Sequence, residues 1–356
     1  MGRKIKVLIV DDSAIVRQTL SNIFSSDEDL EVIGAAKDPY DAAELLKTMV
    51  PDVMTLDIEM PRMDGITFLK KIMSLHPIPI VIISQVAQEG SKKAFEALEF
   101  GAVEVIAKPK INSTKFFEES KILLCDIIKA ASVARVRRIS LVQNIIVKPK
   151  LSADVIIPKK EPKYYPENKQ KIIVIGASTG GTEAISHILS EINTTVAGIV
   201  IVQHMPEMFT RLFAERLNEI NTAFVTEAKN GDTVERGKVL IAPGNKHLVL
   251  KNSGSKYFVE VKDGPLVNRH RPSIDVLFRS AAQNAGKNAI GILLTGMGDD
   301  GAHGLLELKE AGAHTIAQDE QSCVVYGMPK EAFELGAVKE VLNLSRIAQQ
   351  ITILGK

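Results

Sequence analysis

Long hydrophobic runs are absent from this chain. No stretch approaches the roughly 18 consecutive apolar residues that a membrane-spanning helix needs, so direct insertion into a bilayer is not expected. The opening MGRKIKVLIVDD places basic residues before a short apolar run, and an acidic pair ends that run too early for a signal-peptide core, so it reads as a strand. An excess of charge of one sign is also lacking: 44 Lys+Arg against 43 Asp+Glu leave a net charge of +1. Nothing in that balance calls for a polyanion, and nucleic acid is not expected as a partner. Cysteine is scarce. Cys125 and Cys323 lie far apart and fit neither a metal spacing nor a disulfide framework, and read as small buried hydrophobes of a cytoplasmic protein. What remains is a globular composition, 45% hydrophobic and 24% charged over 356 residues, long enough for two domains.

Short apolar runs alternate with helix-period stretches from the N-terminus onward. KVLIV, EVIGAA, DVMTL, IPIVIIS and VEVIA are strand candidates, separated by SAIVRQTLSNIF, PYDAAELLKTM, GITFLKKIMSL and SKKAFEALEFG. The alternation predicts a doubly wound (βα)5 domain over 1–125, with a last helix from about Thr114 to Ala134. Residues 126–170 carry Pro149, Pro158, Pro162 and Pro166 among many lysines, and read as a solvated linker. Alternation resumes over 171–356. KIIVIG, GIVIVQH, AFVTEA, KVLIAP and NAIGILLTG read as strands, with helices at 181–191, 209–219, 273–285, 303–311 and 329–336. HLVLKN and KYFVEVK, split by SGS, read as an antiparallel hairpin. The second domain is expected to be doubly wound, Rossmann-like α/β with this small insert.

Ligands of open α/β sheets bind beyond the carboxyl ends of the strands. In the first domain those ends carry Asp11 and Asp12, then Asp57, Ser84 and Lys108. Three clustered carboxylates repel one another unless a cation joins them, and their oxygens suit Mg²⁺. Mg²⁺ and Lys108 would neutralise a phosphoryl group on one carboxylate, with Ser84 hydrogen-bonding to it. The constellation resembles the receiver domain of two-component response regulators, which is flavodoxin-like. That resemblance implies that Asp57 is the phosphoacceptor, that Asp11, Asp12 and Asp57 surround Mg²⁺, and that Lys108 and Ser84 read the phosphorylated state. Receivers often carry an aromatic residue two or three positions before the lysine; here Val105 stands there. The expected switch is therefore backbone movement around Ser84 and Val105.

In the second domain IIVIGASTGGTEA raises three readings. The dinucleotide fingerprint G-x-G-x-x-G fails because Ser178 stands where the second glycine should be. A P-loop fails because Thr182 and Glu183 follow Gly181. The stretch does match G-x-S-x-G at a strand-to-helix turn, where a hydroxyl lies near free backbone N–H groups. A serine nucleophile needs a base, and His204 ends the next strand. The histidine needs an acid, and the glycine-rich ILLTGMGDDGAHG supplies Asp299 and Asp300. His187, His247, His303 and His314 read as structural or solvated. The order Ser, His, Asp differs from that of α/β-hydrolases, so the motif does not imply that fold.

The segments GASTGG, QHMPEMFTRLFAERLN, APGNKHL, RPSIDVLFRSAA, LTGMGDDGAHG and QDEQSCVVYGMP resemble the catalytic domain of the chemotaxis receptor glutamate methylesterases, the CheB family. The resemblance implies Ser178 as nucleophile, His204 as base, Asp300 as orienting acid and the Met297 N–H as oxyanion donor, with Thr179 helping to position His204. It implies hydrolysis of γ-glutamyl methyl esters on chemoreceptors, deamidation of receptor glutamines, no cofactor at the catalytic site, and a chemotaxis histidine kinase as phosphodonor. A monomer is expected, with the unphosphorylated receiver packing over Ser178. Of two rivals, a nucleotide-binding second domain predicts ligand binding that survives Ser178→Ala and no ester hydrolysis, and a non-catalytic docking module predicts that Asp57 is phosphorylated while Ser178→Ala is silent. A DNA-binding output lacks any helix-turn-helix pattern.

Overall fold

Apolar runs closed by caps and turns determine where each element starts and stops. The computed structural model describes residues 3–60, 63–84, 93, 96–98, 100–108, 114–134, 151–159, 170–193, 195–205, 207, 209–254 and 256–356. The chain divides into two compact units, Met1–Ile146 and Val147–Lys356.

The first unit alternates β1 (Ile5–Val10), α1 (Ala14–Ser25), β2 (Leu30–Ala36), α2 (Pro39–Leu46), β3 (Val53–Leu56), α3 (Gly65–Leu75), β4 (Ile80–Ser84), β5 (Glu104–Ala107) and α4 (Thr114–Ser132). The helix expected at 91–101 lies largely outside the described residues. Three helices start on acceptor side chains: Ser13 receives Val16 N–H, Asp38 receives Tyr40 and Asp41 N–H, and Asp64 receives Thr67 N–H. All strand pairs are parallel, in the order β2-β1-β3-β4-β5. That is the flavodoxin-like order, and its switch point lies between β1 and β3.

The second unit holds β6 (Ile172–Ala177), α5 (Gly181–Glu191), β7 (Gly198–Gln203), α6 (Phe209–Ile220), β8 (Phe224–Glu227) and β9 (Lys238–Ile241). The hairpin β10 (His247–Ser253) and β11 (Lys256–Lys262) follows as a separate antiparallel sheet. Then come α7 (Ile274–Asn284), β12 (Ala289–Leu293), α8 (Ala302–Glu310), β13 (His314–Gln318), α9 (Met328–Glu334), β14 (Glu340–Leu342) and α10 (Leu344–Leu354). The main sheet is parallel, ordered β14-β13-β12-β6-β7-β9-β8. The chain builds outward from β6 through β7, then returns to β6's other side with β12. That reversal opens a crevice at the carboxyl ends of β6 and β12. Ile172, Val174, Val200, Leu240 and Leu293 of the sheet pack with Ile274, Leu277 and Phe278 of α7 in one buried core.

The structure corrects the sequence reading in two places. The helix expected from about Thr114 to Ala134 is present as Thr114–Ser132, but the stretch expected to be solvated is not so throughout: Ala153 is buried with Val249, Val267 and Val276, with Ile156 and Ile157 packed against them. These apolar positions are too few to show a period, but together they cover one patch. Strands β13 and β14 were not expected, because their runs are short and flanked by polar residues; helix α10 was not expected either, although Asn343 caps it and Ile347, Ala348 and Ile351 recur at helical spacing. Both cysteines are free and buried as expected, and burial pushes the Cys125 thiol up to about 12, with the Asp27 charge adding to it. Among the described residues no helix is long and apolar enough to cross a membrane.

Helices α7 and α8 approach closely at Gly304, where an added Cβ would lie 2.7 Å from Phe278 Cβ and 3.0 Å from the Asp275 carbonyl oxygen. Gly304→Ala is therefore expected to destabilise the second unit by about 1–3 kcal/mol, read as a lower urea midpoint at unchanged slope. An unchanged midpoint would mean that the helices can move apart freely.

Candidate active site

Two strand-end sites emerge, one in each unit. In the first, Asp11 and Asp57 are buried and Asp12 is exposed, and oxygen atoms of the three lie within 4.8 Å of one another, a spacing that could hold a metal ion. Lys108 Nζ lies 2.8 Å from Asp57 and 2.9 Å from Asp11. Burial pushes Asp57 up to about 6; the Lys108 hydrogen bond and charge oppose this, and the Asp11 charge adds to it. Burial alone would lower the Lys108 pKa, but its bonds to Asp57 and Asp11 hold the ammonium above its ordinary range. Ser84 is buried at the end of β4, and Val105 is buried in β5 opposite Ile82. The five residues singled out from sequence thus lie at the ends of parallel strands of one sheet, with Lys108 binding both buried acids.

In the second unit Ser178 directly follows β6 and is half-buried. Its N–H donates to the Thr295 carbonyl (3.0 Å) and its carbonyl accepts from Gly181 N–H (2.7 Å) and Gln203 Nε2 (3.0 Å). The left-handed turn falls on Gly180 (φ 78°), and Ser178 is not among the non-glycine residues with positive φ. The G-x-S-x-G match is therefore literal but lacks the strained serine of a nucleophile elbow. His204 follows β7, and its N–H donates to the Ala177 carbonyl at 3.0 Å, tying the two strand ends together. Gly296 lies against Ser178: a Cβ built on it would come within 2.6 Å of Ser178 Cβ. The next residue, Met297, has an N–H that donates to nothing among the described residues.

His204 Nε2 is 2.8 Å from Asp300 Oδ2, with both side chains nearly buried. A carboxylate can only accept, so Nε2 carries the hydrogen and the lone pair sits on Nδ1. Nδ1 is buried without a hydrogen-bond partner among the described residues. The familiar triad has the acid on Nδ1 and the serine on Nε2; here the ring is turned the other way. The His270 ring stacks on His204, with centroids 3.7 Å apart and planes 9° apart.

Asp300 is held by more than the histidine. It accepts from Ser273 Oγ (2.8 Å), Ile274 N–H (2.7 Å), Asp275 N–H (3.3 Å) and Asn268 Nδ2 (3.0 Å). It therefore caps the N-terminus of α7, where free N–H groups and the helix dipole favour a negative charge. Asp275, in the first turn of α7, reciprocates at α8 by accepting from Gly301 N–H (3.0 Å) and Gly304 N–H (2.6 Å). Asn268 Nδ2 joins the two acids, lying 2.6 Å from Asp275. Burial alone would raise Asp300, but the His204 hydrogen bond and charge, the His270 charge and the Asn268 amide hold it well below the usual carboxylate range. Burial and the Asp300 charge push Asp275 up to about 8, against the Gly304 N–H and the Asn268 amide.

Of the residues predicted from sequence, Ser178 and His204 follow adjacent paired strands, Asp300 bonds His204, and Met297 follows the glycine that lies against Ser178. Thr179 is buried and its carbonyl accepts from Thr295 Oγ at 3.0 Å; among the described residues no hydrogen bond joins it to His204. Asp299 lies outside the His204 pair. His187 and His314 make surface pairs with Glu191 and Glu340, and buried His247 binds the Pro265 carbonyl. Asn268, His270, Ser273 and Asp275 also belong to this site and are not among the residues predicted from sequence. The RPSIDVL segment held a signal for two of them, since Ser273 followed by an acid two residues on is a helix-start pattern.

An acidic strand-end pocket in one unit and a serine beside a carboxylate-bound histidine in the other define a class: a response regulator whose output unit has a hydrolase-type site. Residues 7–117 match the response regulator receiver domain, and residues 173–351 match CheB methylesterase. A protein-glutamate methylesterase/protein-glutamine glutaminase of Geobacter metallireducens is 57% identical over 98% of each chain. One from Oleidesulfovibrio alaskensis is 56% identical over 99% of this chain and 98% of its own. The crystal structure of the Thermotoga maritima CheB methylesterase catalytic domain, 38% identical, superposes with a TM-score of 0.51 over 52% of this chain and 99% of that one. The chain belongs to the CheB methylesterase family.

Removing Lys108 leaves two buried carboxylates facing each other. Lys108→Met is expected to destabilise the first unit by about 2 kcal/mol or more in cation-free buffer at neutral pH, with a divalent cation restoring part of the loss. Denaturant unfolding of the full chain with and without the cation reads this; an unchanged first transition would show that the acids do not depend on the lysine.

Proposed function

We propose that this chain is a phosphorylation-regulated protein-glutamate methylesterase and protein-glutamine glutaminase acting on the cytoplasmic part of chemoreceptors. The observation that carries this reading is the His204–Asp300 bond at the strand end next to Ser178, with the Nδ1 lone pair left for a proton. The names of relatives more than half identical over nearly the whole chain support the substrate class.

Ser178 Oγ attacks the γ-carbonyl carbon of a glutamyl methyl ester while His204 Nδ1 takes its proton. Asp300 keeps the hydrogen on Nε2 and stabilises the imidazolium. The Met297 N–H faces the developing oxyanion, a role worth about 3–4 kcal/mol for one such donor. The tetrahedral intermediate collapses by breaking the bond to methoxide oxygen, which leaves as methanol with the proton from His204. Water, deprotonated by His204, then attacks the acyl-serine; the serine leaves with that proton and the glutamate carboxylate is released. With a glutamine side chain the leaving group is ammonia and the remaining steps are the same.

In the receiver, Asp57 accepts a phosphoryl group from a chemotaxis histidine kinase. Asp11, Asp12 and Asp57 offer hard oxygen ligands that fit Mg²⁺, and the ion, when bound, neutralises phosphate charge. Lys108 and Ser84 hold the phosphoryl oxygens. Phosphorylation raises esterase activity to the extent that the phosphorylated receiver favours the active arrangement.

Methanol release from methylated chemoreceptor tests both halves. Ser178→Ala is expected to lower release by at least about a thousandfold. A small phosphodonor with Mg²⁺ is expected to raise release by the wild type and not by Asp57→Asn. Equal release by wild type and Ser178→Ala would overturn the triad, and a phosphodonor response that survives in Asp57→Asn would overturn the switch.

A further inference from the structure

Residues 151–159, expected to be part of a free tether, cross the face of the second unit as a strap. Ala153, Ile156 and Ile157 lie on the apolar patch made by Val249, Val267 and Val276. Ile156 also fills the space beside Gly264, where a Cβ would come within 2.2 Å of its Cδ1. Arg279 of α7, nearly buried, donates from Nη1 to Asp154 (2.8 Å) and to the Ile157 carbonyl (3.1 Å). Its other edge makes a forked pair with Glu307 of α8. Gln283 Nε2 donates to the Pro158 carbonyl at 2.9 Å. The strap is thus fastened to α7, whose N-terminus holds Asp300, and through Arg279 to α8, whose N-terminus holds Asp275.

Its first residue reaches the site itself. The Leu151 carbonyl accepts from Asn268 N–H at 2.9 Å. Asn268 is buried and left-handed (φ 48°), a conformation that asparagine tolerates better than most residues. Its amide nitrogen has two hydrogens and lies within bonding distance of two carboxylates, Asp275 and Asp300. A shift of Asn268 would therefore turn the Asp300 carboxylate, and with it the His204 ring.

We propose that Asn268 is a positioning residue for the His204–Asp300 pair, and that the strap Leu151–Ile157 sets its placement through the Leu151 carbonyl. The kinetic consequence rests on the esterase reading; the geometric one does not. Because no hydrogen bond joins Asn268 to Ser178 or to Met297 among the described residues, its loss is expected to act on kcat and not on KM.

The test uses the full chain and two variants. Asn268→Gly keeps the left-handed backbone without strain and deletes the amide. Ile156→Ser loosens the strap without touching the site. Both are compared with wild type where circular dichroism shows all of them folded. The first readout is the downfield proton resonance of the His204 Nε2–H bonded to Asp300. It is expected to move upfield or vanish in Asn268→Gly, and to change the same way in Ile156→Ser. The second is methanol release: kcat is expected to fall about a hundredfold in Asn268→Gly, a loss typical of a misplaced catalytic group, at unchanged KM. It is expected to fall less in Ile156→Ser, and the double variant is expected to be no slower than Asn268→Gly alone, as for two changes acting through one residue. An unchanged resonance in Asn268→Gly overturns the proposal whatever the turnover. Multiplying losses in the double variant, or a wild-type resonance in Ile156→Ser, overturns the strap's part in it. A wild type that releases no methanol refutes the esterase reading, and the resonance then decides this inference by itself.

Discussion

The second unit depends on an exchange of acids between two helices. Asp300 precedes α8 but caps α7; Asp275 lies in α7 but caps α8. Each buried carboxylate is matched to N–H groups that would otherwise have no partner, which offsets much of the cost of removing both from water. The two acids are close enough to oppose each other, and their environments separate them: Asp300 is held low and Asp275 is pushed up. The negative charge thus concentrates on the acid that touches His204. Every other part of the site is positioned relative to this joint, since α7 packs on the centre of the sheet through Ile274, Leu277 and Phe278.

The first unit solves a similar problem with a mobile charge. Asp11 and Asp57 are as buried as Asp300, but their partner is the Lys108 ammonium and not a helix end. A helix N-terminus is a fixed feature of the fold, and suits an acid whose orientation must not vary. A flexible lysine stem can follow a carboxylate that gains and loses a phosphoryl group. The contrast fits one unit that responds to a signal and another that holds a reactive geometry constant.

The fold was legible in the sequence wherever a run was long, apolar and closed by a cap. IKVLIV is followed at once by Asp11, and IIVIGA by Ser178, so the strand end and the candidate residue were visible together. The glycine-rich loop after β12 was equally visible because its spacing is dictated by backbone approach. Strands β13 and β14 were not, since five and three residues are too few to show a period, and β14 is a half-exposed edge strand. Asn268 and Asp275 escaped for another reason: what they do depends on partners 32 and 26 to 29 residues away, which composition and periodicity do not encode. The strap escaped because proline and lysine around it suggested solvent, while Ala153, Ile156 and Ile157 find an apolar patch built by the hairpin and α7.

The order of strands in the second sheet also bears on how the site comes into being as the chain is made. Ser178 and His204 emerge early and sit on adjacent strands, but the acid that holds the histidine lies 96 residues further on. It arrives only when β12 has paired with β6 on the side opposite β7. Such distant pairing is slow to form, because a long loop must close before any contact rewards it. A nascent or truncated chain ending before β12 therefore carries a serine and a histidine with no orienting acid, no glycine loop and no cap on α7. The His204–Asp300 pair can therefore exist only once the two halves of this sheet have joined across β6.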